Sequence, residues 1–358
     1  MMRSILQRIA TGPELSKDIS RDEAHAGMRW ILEGKVDPVQ AGVFLIALRM
    51  KRETDDEMRG VLAAIQDVTH SIAVAVDEVI DIADPYDGFN RTLPASPFLP
   101  AVLAACGVAA VSHGVESMGP KYGVTHRQVL RAAGLPVELA LADAAARLAD
   151  PACGWAYVDQ SMFCPKLYRL AALRTLIVKR PSLTTVEILA RPLRGRRRTH
   201  LVTGYVHQAY PRIYALLARD AGFDSALLVR GVEGGVTPSL RQSGKAFHYH
   251  DRGAEQPVEF NPAQWGIVQA LRAPQIPGRE NAETSDETAP LDTVAVAKAA
   301  ACAGLEALHG APGAMRDALV CAGALCLWHL RRRESMAAAA DAVREVLDNG
   351  EALARIQR

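Results

Sequence analysis

Residues 72–114 decide the fold, and they read IAVAVDEVIDIADPYDGFNRTLPASPFLPAVLAACGVAAVSHG. An alternating apolar run is followed by a polar loop, a helical pattern and a second short apolar run. This order is typical of a βαβ unit, in which the two strands lie parallel in one sheet. The alternation returns at THLVTGYVH, YPRIYALLARDAG and SALLVRGVEGG. The sequence therefore predicts an α/β fold with a mostly parallel sheet.

Helical patterns come before this unit, within residues 1–71. Ser20 and Glu23 have the spacing of a capping box ahead of an amphipathic segment. Thr54 and Glu57 repeat that spacing, and the dipeptide Asp-Pro begins another helical segment between them. These signals predict a small unit made of helices.

The chain as a whole alternates between helical and α/β segments. We predict a small helical domain from residues 1–71 and 166–198, packed on a larger α/β domain from residues 72–165 and 199–358. A polar stretch with two prolines, residues 276–292, is predicted to be an exposed loop.

The composition is that of an ordinary globular protein. Apolar residues make up 49% of the chain, and 41 Lys and Arg residues balance 40 Asp and Glu residues to a net charge of +1. This balance gives no global argument for a nucleic-acid or membrane partner. We find no apolar run of membrane-spanning length and no signal-peptide core, and we expect a cytoplasmic protein. The six cysteines form no CxxC pair, so we expect reduced thiols in the core.

The loop after the first strand, DIADPYDGFNRTLPAS at residues 81–96, stands where many nucleotide-binding proteins hold a phosphate on a glycine-rich turn. Here the loop has one glycine. Pro85 offers no N–H, Tyr86 carries a bulky side chain, and neighbouring carboxylates repel an anion. The sequence therefore does not predict a working glycine cradle.

The chain resembles anthranilate phosphoribosyltransferase and its relatives among the pyrimidine nucleoside phosphorylases. The resemblance is carried by SRDEA, GKVDPVQAGVFLIALRMKRETDDEMRGVLAA, ACGVAAVSHG, LRTL, LLVRGVEGG and VLDNGEALARI, over nearly the whole chain. It implies a homodimer in which a small helical domain and a larger α/β domain enclose a cleft. In the family, that cleft binds phosphoribosyl diphosphate and Mg²⁺, and an aromatic amine attacks the ribose carbon.

The diphosphate loop departs from the family's pattern, which reads roughly DxxGTGGD. Asp84, Pro85, Tyr86 and Asp87 stand at the GTGG positions. Losing two or three charge-assisted hydrogen bonds, at about 1.5–3 kcal/mol each, would weaken diphosphate binding by several orders of magnitude. One alternative stays open, in which Asp81, Asp84 and Asp87 collect Mg²⁺ and bind phosphate through the metal.

The acidic pair that holds magnesium in the family is also replaced. A family stretch like HGEDGLDE corresponds here to RGVEGGVT, with Val236 and Thr237 at the pair and Arg230 at the histidine position. Glu233 remains. A cation at this place could bind an anion without Mg²⁺, but it cannot organise a diphosphate leaving group in the same way.

Other polar residues could still bind a phosphate-bearing ligand. Ser96 falls on a phosphate-contact position of the family, His113 and Gly114 retain half of its KHGN motif, and Lys121 lies in a glycine-rich loop that could cover a cleft. The candidate phosphate-binding residues are Asn90, Arg91, Thr92, Ser96, His113, Gly114, Lys121 and Arg230.

The acceptor pocket of the family is partly retained. The stretch AYVDQSMFCPKLYRLAALRTL resembles the helix that leads to RRELGxRT in the family. By this match, Arg169 corresponds to the arginine that contacts the carboxylate of anthranilate, and Arg174 to the arginine of the RT step. Cys164 stands at a family histidine.

A basic run follows, within the inserted stretch IVKRPSLTTVEILARPLRGRRRTH. It could be a solvated loop with carboxylate partners, or it could contact the phosphates of a single-stranded nucleic acid, with Tyr205, Tyr210 and Tyr214 stacking on bases. A divergent paralogue group of this superfamily binds nucleic acid and lacks the glycine cradle, and the chain resembles that group more than the enzyme. The candidate nucleic-acid contacts are Lys179, Arg180, Arg191, Arg194, Arg196, Arg197 and Arg198.

The sequence FHYHD places His248 and His250 on one face of a predicted strand, with Asp251 beside them. Two histidines without a second cluster are weak evidence for a metal site. We expect an edge strand here.

Three functions follow from these residues. The leading hypothesis is a glycosyltransferase-family paralogue with a degenerate diphosphate and Mg²⁺ site, whose cleft binds a phosphate-bearing ligand such as phosphoribosyl diphosphate and whose anthranilate transfer is lost or weak. The alternative is a non-catalytic protein that binds single-stranded nucleic acid. The third is a true anthranilate phosphoribosyltransferase that holds Mg²⁺ on Asp84 and Asp87. The sequence identifies no catalytic residue.

Overall fold

The structure is a computed structural model that describes residues 1–12, 14–279 and 291–358. Residues 280–290 of the loop predicted over 276–292 lie outside the described residues. The helices are α1 Met2–Ile9, α2 Arg21–Leu32, α3 Pro38–Lys51, α4 Asp55–Gln66, α5 Leu99–Ala105, α6 His126–Ala132, α7 Leu141–Ala149, α8 Gln160–Phe163, α9 Pro165–Tyr168, α10 Ala171–Ile177, α11 Leu183–Val186, α12 Tyr210–Asp220, α13 Thr293–Leu308, α14 Ala314–His329, α15 Met336–Asp348 and α16 Glu351–Ile356. The strands are β1 Ile72–Ala73, β2 Glu78–Ala83, β3 Ala110–Gly114, β4 Trp155–Asp159, β5 Leu193–Arg194, β6 Arg198–Tyr205, β7 Ser225–Arg230, β8 Gly244–Tyr249 and β9 Gln256–Phe260.

The main sheet confirms the predicted α/β fold. Its strands follow the order β4–β3–β2–β6–β7–β8–β9. The first five are parallel, and β8 and β9 are antiparallel to their neighbours. The predicted βαβ unit is present as β2, α5 and β3, but the apolar run before the loop is split. Its first two residues form β1, which pairs with β5 in a separate small sheet.

The helix starts agree with the predicted caps. Ser20 Oγ accepts the N–H of Glu23 at 3.2 Å, and Thr54 Oγ1 accepts that of Glu57 at 3.3 Å. In both cases the glutamate side chain accepts a hydrogen bond from the backbone N–H of the capping residue, which completes the capping box. These paired bonds satisfy N–H groups that a helix start leaves without partners.

Alternate residues of each strand pack on opposite faces of the sheet. On β2, Ile80 and Ile82 belong to one hydrophobic core, with α5, α6 and α13–α16. Val79 and Ala83 belong to the other, with α1–α4, α11 and α12. The sheet is therefore covered by helices on both sides, as a parallel sheet requires. The domain boundaries given above stay a prediction.

The FHYHD stretch corrects one prediction. β8, which carries His248, pairs with β7 on one side and with β9 on the other. It is therefore an inner strand. The edge-strand prediction was wrong because β9 has no clear signal in the sequence.

The six cysteines are free thiols. None of the described helices is both long and apolar enough to span a membrane.

Candidate functional site

A cleft of about 760 Å³ opens where β2, β6 and β7 end. The loop after β2 contributes Pro85 and Asp87, the end of β6 contributes Tyr205, and the turn after β7 contributes residues 231–234. Arg49 of α3 and the residues around α11 close the opposite side. The carboxyl ends of parallel strands are the usual ligand-binding edge of an open α/β sheet.

The cleft is rich in positive charge. Six cationic side chains line it against the two carboxylates of Asp87 and Glu233. Both carboxylates are already paired within the chain, because Asp87 Oδ2 lies 2.9 Å from Arg180 Nη2 and Glu233 Oε2 lies 2.6 Å from Lys121 Nζ. The cations are Arg49, Arg91, Lys121, Arg180, Arg241 and Arg272.

Glu233 occupies a site built for an anion. Its carboxylate accepts the backbone N–H groups of Asn90 and Arg91, each at 3.0 Å, and the hydroxyl of Thr92 at 2.8 Å. Burial alone would raise the pKa of Glu233, but Lys121 and these hydrogen bonds lower it below its ordinary value. Successive N–H groups that converge on an oxygen anion form the same arrangement that binds phosphates in other proteins. A side chain of the protein itself therefore sits in this anion site.

The turn after β7 holds Glu233 in this position. Glu233 has φ 53° and the next residue, Gly234, has φ 84°, so two successive residues adopt the left-handed region. The N–H of Val232 also donates to the carbonyl of Thr237 at 2.9 Å, which closes the turn. The loop after β2 is fixed as well, because Gly88 has φ 75° and a Cβ there would lie 2.5 Å from the carbonyl oxygen of Gly123.

Asp84 points away from the cleft and ties the loop to the fold. Its carboxylate accepts the N–H of Val236 at 2.7 Å and lies 2.8 Å from His126 Nε2. The hydroxyl of Ser96 donates to the same carboxylate. Asp84 and Ser96 are both buried. They form an internal polar network, and neither lines the cleft.

Asp81 and His113 lie still deeper. Both are buried, and His113 Nε2 is 2.8 Å from Asp81 Oδ1, in an ion-pair contact without good hydrogen-bond alignment. His113 Nδ1 lies 2.6 Å from the hydroxyl of Tyr86. The Tyr86 ring is therefore directed inward, toward His113. The Tyr86 side chain does not line the cleft. Gly114 is buried beside this pair.

The three aspartates do not share a metal site. Asp81 contacts His113, Asp84 contacts His126, and Asp87 contacts Arg180. Within the described ranges, no group of three or more carboxylates is arranged to hold a metal ion. These three aspartates therefore do not fit as joint ligands of one protein-bound Mg²⁺ at this loop.

The predicted phosphate-binding residues divide into four groups. Arg91, Thr92 and Lys121 line the cleft. Asn90 contributes its backbone N–H to the Glu233 carboxylate. Ser96, His113 and Gly114 are buried beneath the cleft, and Arg230 is exposed at the end of β7 but does not line it.

The predicted acceptor residues lie apart from the cleft lining. Arg169 is exposed. Arg174 is buried, and its guanidinium pairs with Glu187 at 2.5 and 2.9 Å and with the hydroxyl of Thr184 at 3.3 Å. Glu187 is itself fully buried. These contacts indicate a structural role for Arg174, which neutralises the buried carboxylate of Glu187.

The basic run lies at the opposite end of β6 from the cleft. Arg198 begins this eight-residue strand and Tyr205 ends it, which at about 3.3 Å per residue separates them by roughly 23 Å. Arg191 donates to the carbonyl of Gly222, and Arg194 donates to Ser71 Oγ at 3.0 Å. Arg197 and Arg198 pair with Asp77 and Asp251, and Arg196 is exposed.

Lys179 and Arg180 lie elsewhere. Arg180 lines the cleft and pairs with Asp87 there, and its neighbour Lys179 is exposed. The structure therefore separates the predicted nucleic-acid residues into two regions.

Aromatic side chains complete the cleft wall. Tyr205, Tyr210 and Tyr214 all line it. The rings of Tyr210 and Tyr214 are 5.7 Å apart, and the hydroxyl of Tyr210 accepts a bond from Arg49 at 3.2 Å. Tyr210 is half-buried, whereas the other two are buried.

Sequence reasoning missed part of the site. Arg49, Arg241 and Arg272 were not predicted as ligand contacts, because each is an ordinary surface arginine in its own segment. The role of Glu233 was missed as well. The only available indication was its place in a glycine-rich turn after a strand.

Comparisons with known proteins agree with this fold. Residues 3–68 match the model of the helical bundle domain of the glycosyl transferase family. The anthranilate phosphoribosyltransferase of Desulforudis audaxviator is 28% identical over 360 residues, covering all of this chain and 95% of that protein. An uncharacterized protein of Aquifex aeolicus is 30% identical over 225 residues, which are 62% of this chain and 65% of that relative, so this match leaves out about a third of it.

Solved structures show the same architecture. The crystal structure of anthranilate phosphoribosyltransferase from Thermus thermophilus matches with a TM-score of 0.75 at 18% identity, over all of this chain and 97% of that one. The Saccharomyces cerevisiae enzyme in complex with PRPP and Mg matches with a TM-score of 0.78 at 14% identity, over 99% and 97%. Residues 3–68 therefore match the helical bundle domain of the glycosyl transferase family, and the chain has the fold of the solved anthranilate phosphoribosyltransferases. Over its whole length its sequence is similar to that of an anthranilate phosphoribosyltransferase.

Proposed function

We propose that this protein binds a phosphate-bearing ligand in its cleft through arginine side chains, without a protein-bound Mg²⁺, and that anthranilate transfer is lost or weak. The observation that carries the proposal is the charge of the cleft, where six cations face two carboxylates that are both paired internally. Such an excess attracts and holds anions.

The ligand is held differently from a diphosphate on a glycine cradle. Guanidinium groups bind phosphate oxygens in forked geometry, and this geometry needs no backbone N–H groups. The backbone N–H groups of Asn90 and Arg91 are meanwhile satisfied by Glu233. We therefore expect the phosphate to lie on the arginine side of the cleft.

The loss of transfer follows from the missing metal site. Departure of a diphosphate from a ribose carbon develops negative charge that a bound metal ion normally stabilises. Asp81, Asp84 and Asp87 are each committed to a different partner in this chain. Because these three aspartates already have other partners, we expect the chain to bind such a ligand but to give little help to the leaving group.

A binding titration tests the first part. Isothermal titration with pyrophosphate should show heat in the presence of EDTA, and Arg49→Ala with Arg272→Ala should weaken the binding at least about tenfold. Arg316→Ala serves as the control, because Arg316 pairs with Asp348 away from the cleft. Equal affinity in the cleft double variant and in the control would overturn the proposal.

A turnover assay tests the second part. With phosphoribosyl diphosphate and Mg²⁺, anthranilate should be consumed at the protein-free rate or only slightly faster. If turnover is fast, and if it is abolished by Asp84→Asn with Asp87→Asn, the chain is a true anthranilate phosphoribosyltransferase and the proposed loss is wrong.

Single-stranded nucleic acid is the second candidate ligand. The observation that favours it is the presence of Tyr205, Tyr210 and Tyr214 beside the cleft cations, since stacking and phosphate contacts together bind such strands. An oligothymidylate would lose affinity steeply as salt rises, whereas a small phosphate ligand would show a shallow dependence. Measuring oligothymidylate affinity after charge reversal at Arg180, and separately at Arg196, would show whether the strand binds at the cleft or at the basic run.

We also propose a homodimer that forms through the helical part. Val39 of α3 and Leu176 of α10 are 74% and 79% exposed, and Val178 just after α10 is 65% exposed. Exposed apolar side chains on neighbouring helices favour association. Light scattering should give twice the chain mass for the wild type and the single chain mass for Leu176→Asp.

A further inference from the structure

Three histidines meet at the end of the main sheet opposite the cleft, beside the start of β7. His248 is on β8, His250 follows directly after it, and His329 is the last residue of α14. One ring nitrogen from each lies within 4.8 Å of the other two. The ring centroids of His250 and His329 are 4.6 Å apart, and that of His248 is 5.6 Å from the first and 6.0 Å from the second. Two of the three come from the FHYHD stretch, and the third is contributed by a distant helix.

His329 is oriented by partners of its own. Its Nε2 lies 2.9 Å from Ser225 Oγ, and that oxygen lies 2.7 Å from His200 Nδ1. If Nε2–H donates to the serine and the serine hydroxyl donates to His200, Nδ1 of His329 carries a free lone pair. A metal-binding histidine typically donates the N–H of the ring nitrogen that does not bind the metal. This hydrogen bond fixes the tautomer and the orientation of the ring.

Two buried nitrogens in the cluster have no partner. Nδ1 of His329 and Nδ1 of His248 are both buried without a hydrogen bond. His329 is only 1% exposed, so it is almost completely shielded from solvent. Unpaired buried polar atoms are costly, and a bound ion would satisfy them. His248 and His250 are half-buried, which leaves an entry path from the surface.

We propose that His248, His250 and His329 bind a divalent transition metal ion of the type that prefers imidazole, with Zn²⁺ as the representative, and that a fourth position is left to water. Three protein ligands with an open position are a known arrangement for Zn²⁺. Imidazole donors favour Zn²⁺, Cu²⁺ and Ni²⁺ over Mg²⁺ and Ca²⁺, which prefer oxygen ligands.

Two arginines near the cluster are paired with carboxylates. Arg198 is paired with Asp251 at 3.1 Å, and Arg332 with Glu78 at 2.5 Å. The positive charge of Arg331 acts on all three histidines and opposes the binding of a metal cation. The carboxyl end of the sixteen-residue helix α14, where His329 lies, supplies a partial negative charge that favours one.

The test uses the full chain after treatment with EDTA and dialysis. Titration with Zn²⁺ should show one ion per chain and a rise in Tm, and Mg²⁺ should show neither. His248→Gln and His250→Gln should each lower the Zn²⁺ affinity at least about tenfold. Both residues are half-buried, so these variants should fold even if His329→Ala does not. His309→Gln is the matched control, because His309 is exposed outside the cluster.

Two further readouts separate this site from casual binding to surface histidines. The Trp328 ring lies 5.1 Å from the His248 ring. Cu²⁺ bound at the cluster should therefore quench the fluorescence of Trp328, and this quenching should be absent in Trp328→Phe. Arg331→Gln should tighten Zn²⁺ binding, since it removes the opposing charge. Equal Zn²⁺ affinity in wild type, His248→Gln and His250→Gln, or an equal loss in His309→Gln, would overturn the proposal.

Discussion

Replacing Glu233 with alanine should open the anion site that this side chain now fills. The Glu233 side chain is 5% exposed, and its carboxylate accepts the N–H groups of Asn90 and Arg91 and the hydroxyl of Thr92 while it pairs with Lys121. Hydrogen bonds to a charged group contribute about 1.5–3 kcal/mol each, but water in the open cleft can replace part of that. We expect the variant to lose about 2–4 kcal/mol of unfolding free energy.

The same variant should gain affinity for anions. Two N–H groups, a hydroxyl and an ammonium group would then face the cleft without their internal carboxylate. Pyrophosphate at a hundred times its Kd would restore about 2.7 kcal/mol to the variant, and its effect should be larger than on the wild type. Urea denaturation with and without pyrophosphate measures both quantities. Glu255→Ala is the matched control, because Glu255 pairs with Arg219 at 3.0 Å away from the cleft.

The pH dependence gives an independent check. The folded state lowers the pKa of Glu233, so its contribution to stability is complete above the unfolded value, about pH 4.3, and is lost as pH falls through the folded value. The stability difference between wild type and Glu233→Gln should therefore be constant from pH 5 to 8 and shrink below about pH 4. Unchanged stability in Glu233→Ala, or an equal response to pyrophosphate in variant and wild type, would refute the reasoning.

Three further variants test other parts of the account. Arg174→Ala should cost about 3–5 kcal/mol of unfolding free energy, because it leaves Glu187 buried without its partner. A urea midpoint equal to that of the wild type would contradict this. Tyr86→Phe should cost about 1–3 kcal/mol, since it removes the hydroxyl 2.6 Å from His113 Nδ1, and a stabilised variant in thermal melts would contradict it. Tyr210→Ala should weaken oligothymidylate binding by about 1–3 kcal/mol if that strand is the ligand, and unchanged affinity in a fluorescence titration would exclude stacking on this ring.

The fold was largely predictable because its information is local. The capping boxes at Ser20 and Thr54 and the alternating strands β3, β6 and β7 depend on residues close in sequence. The strand β9 was missed, because QPVEF is short, contains a proline and is mostly exposed. Without β9, the stretch FHYHD was assigned to the wrong place in the sheet.

The site was predictable only in part. The loss of the glycine cradle could be inferred from Pro85 and Tyr86, since the effect of these residues on a backbone anion site is local. The sequence could not show that Glu233 would reach across 141 to 143 residues to fill that site. Nor could it show that His329 would join His248 at the end of the sheet opposite the cleft. Long-range contacts of this kind depend on the register of the strands, which single-sequence patterns do not fix.

The most direct test of the central claim is a calorimetric titration of the wild-type chain with phosphoribosyl diphosphate, performed once in EDTA and once in Mg²⁺. The account predicts binding in EDTA, with an affinity that Mg²⁺ does not improve. Binding that appears only with Mg²⁺ would mean that the loop after β2 still organises a metal, and the absence of binding in both conditions would mean that the arginine-lined cleft does not hold this ligand.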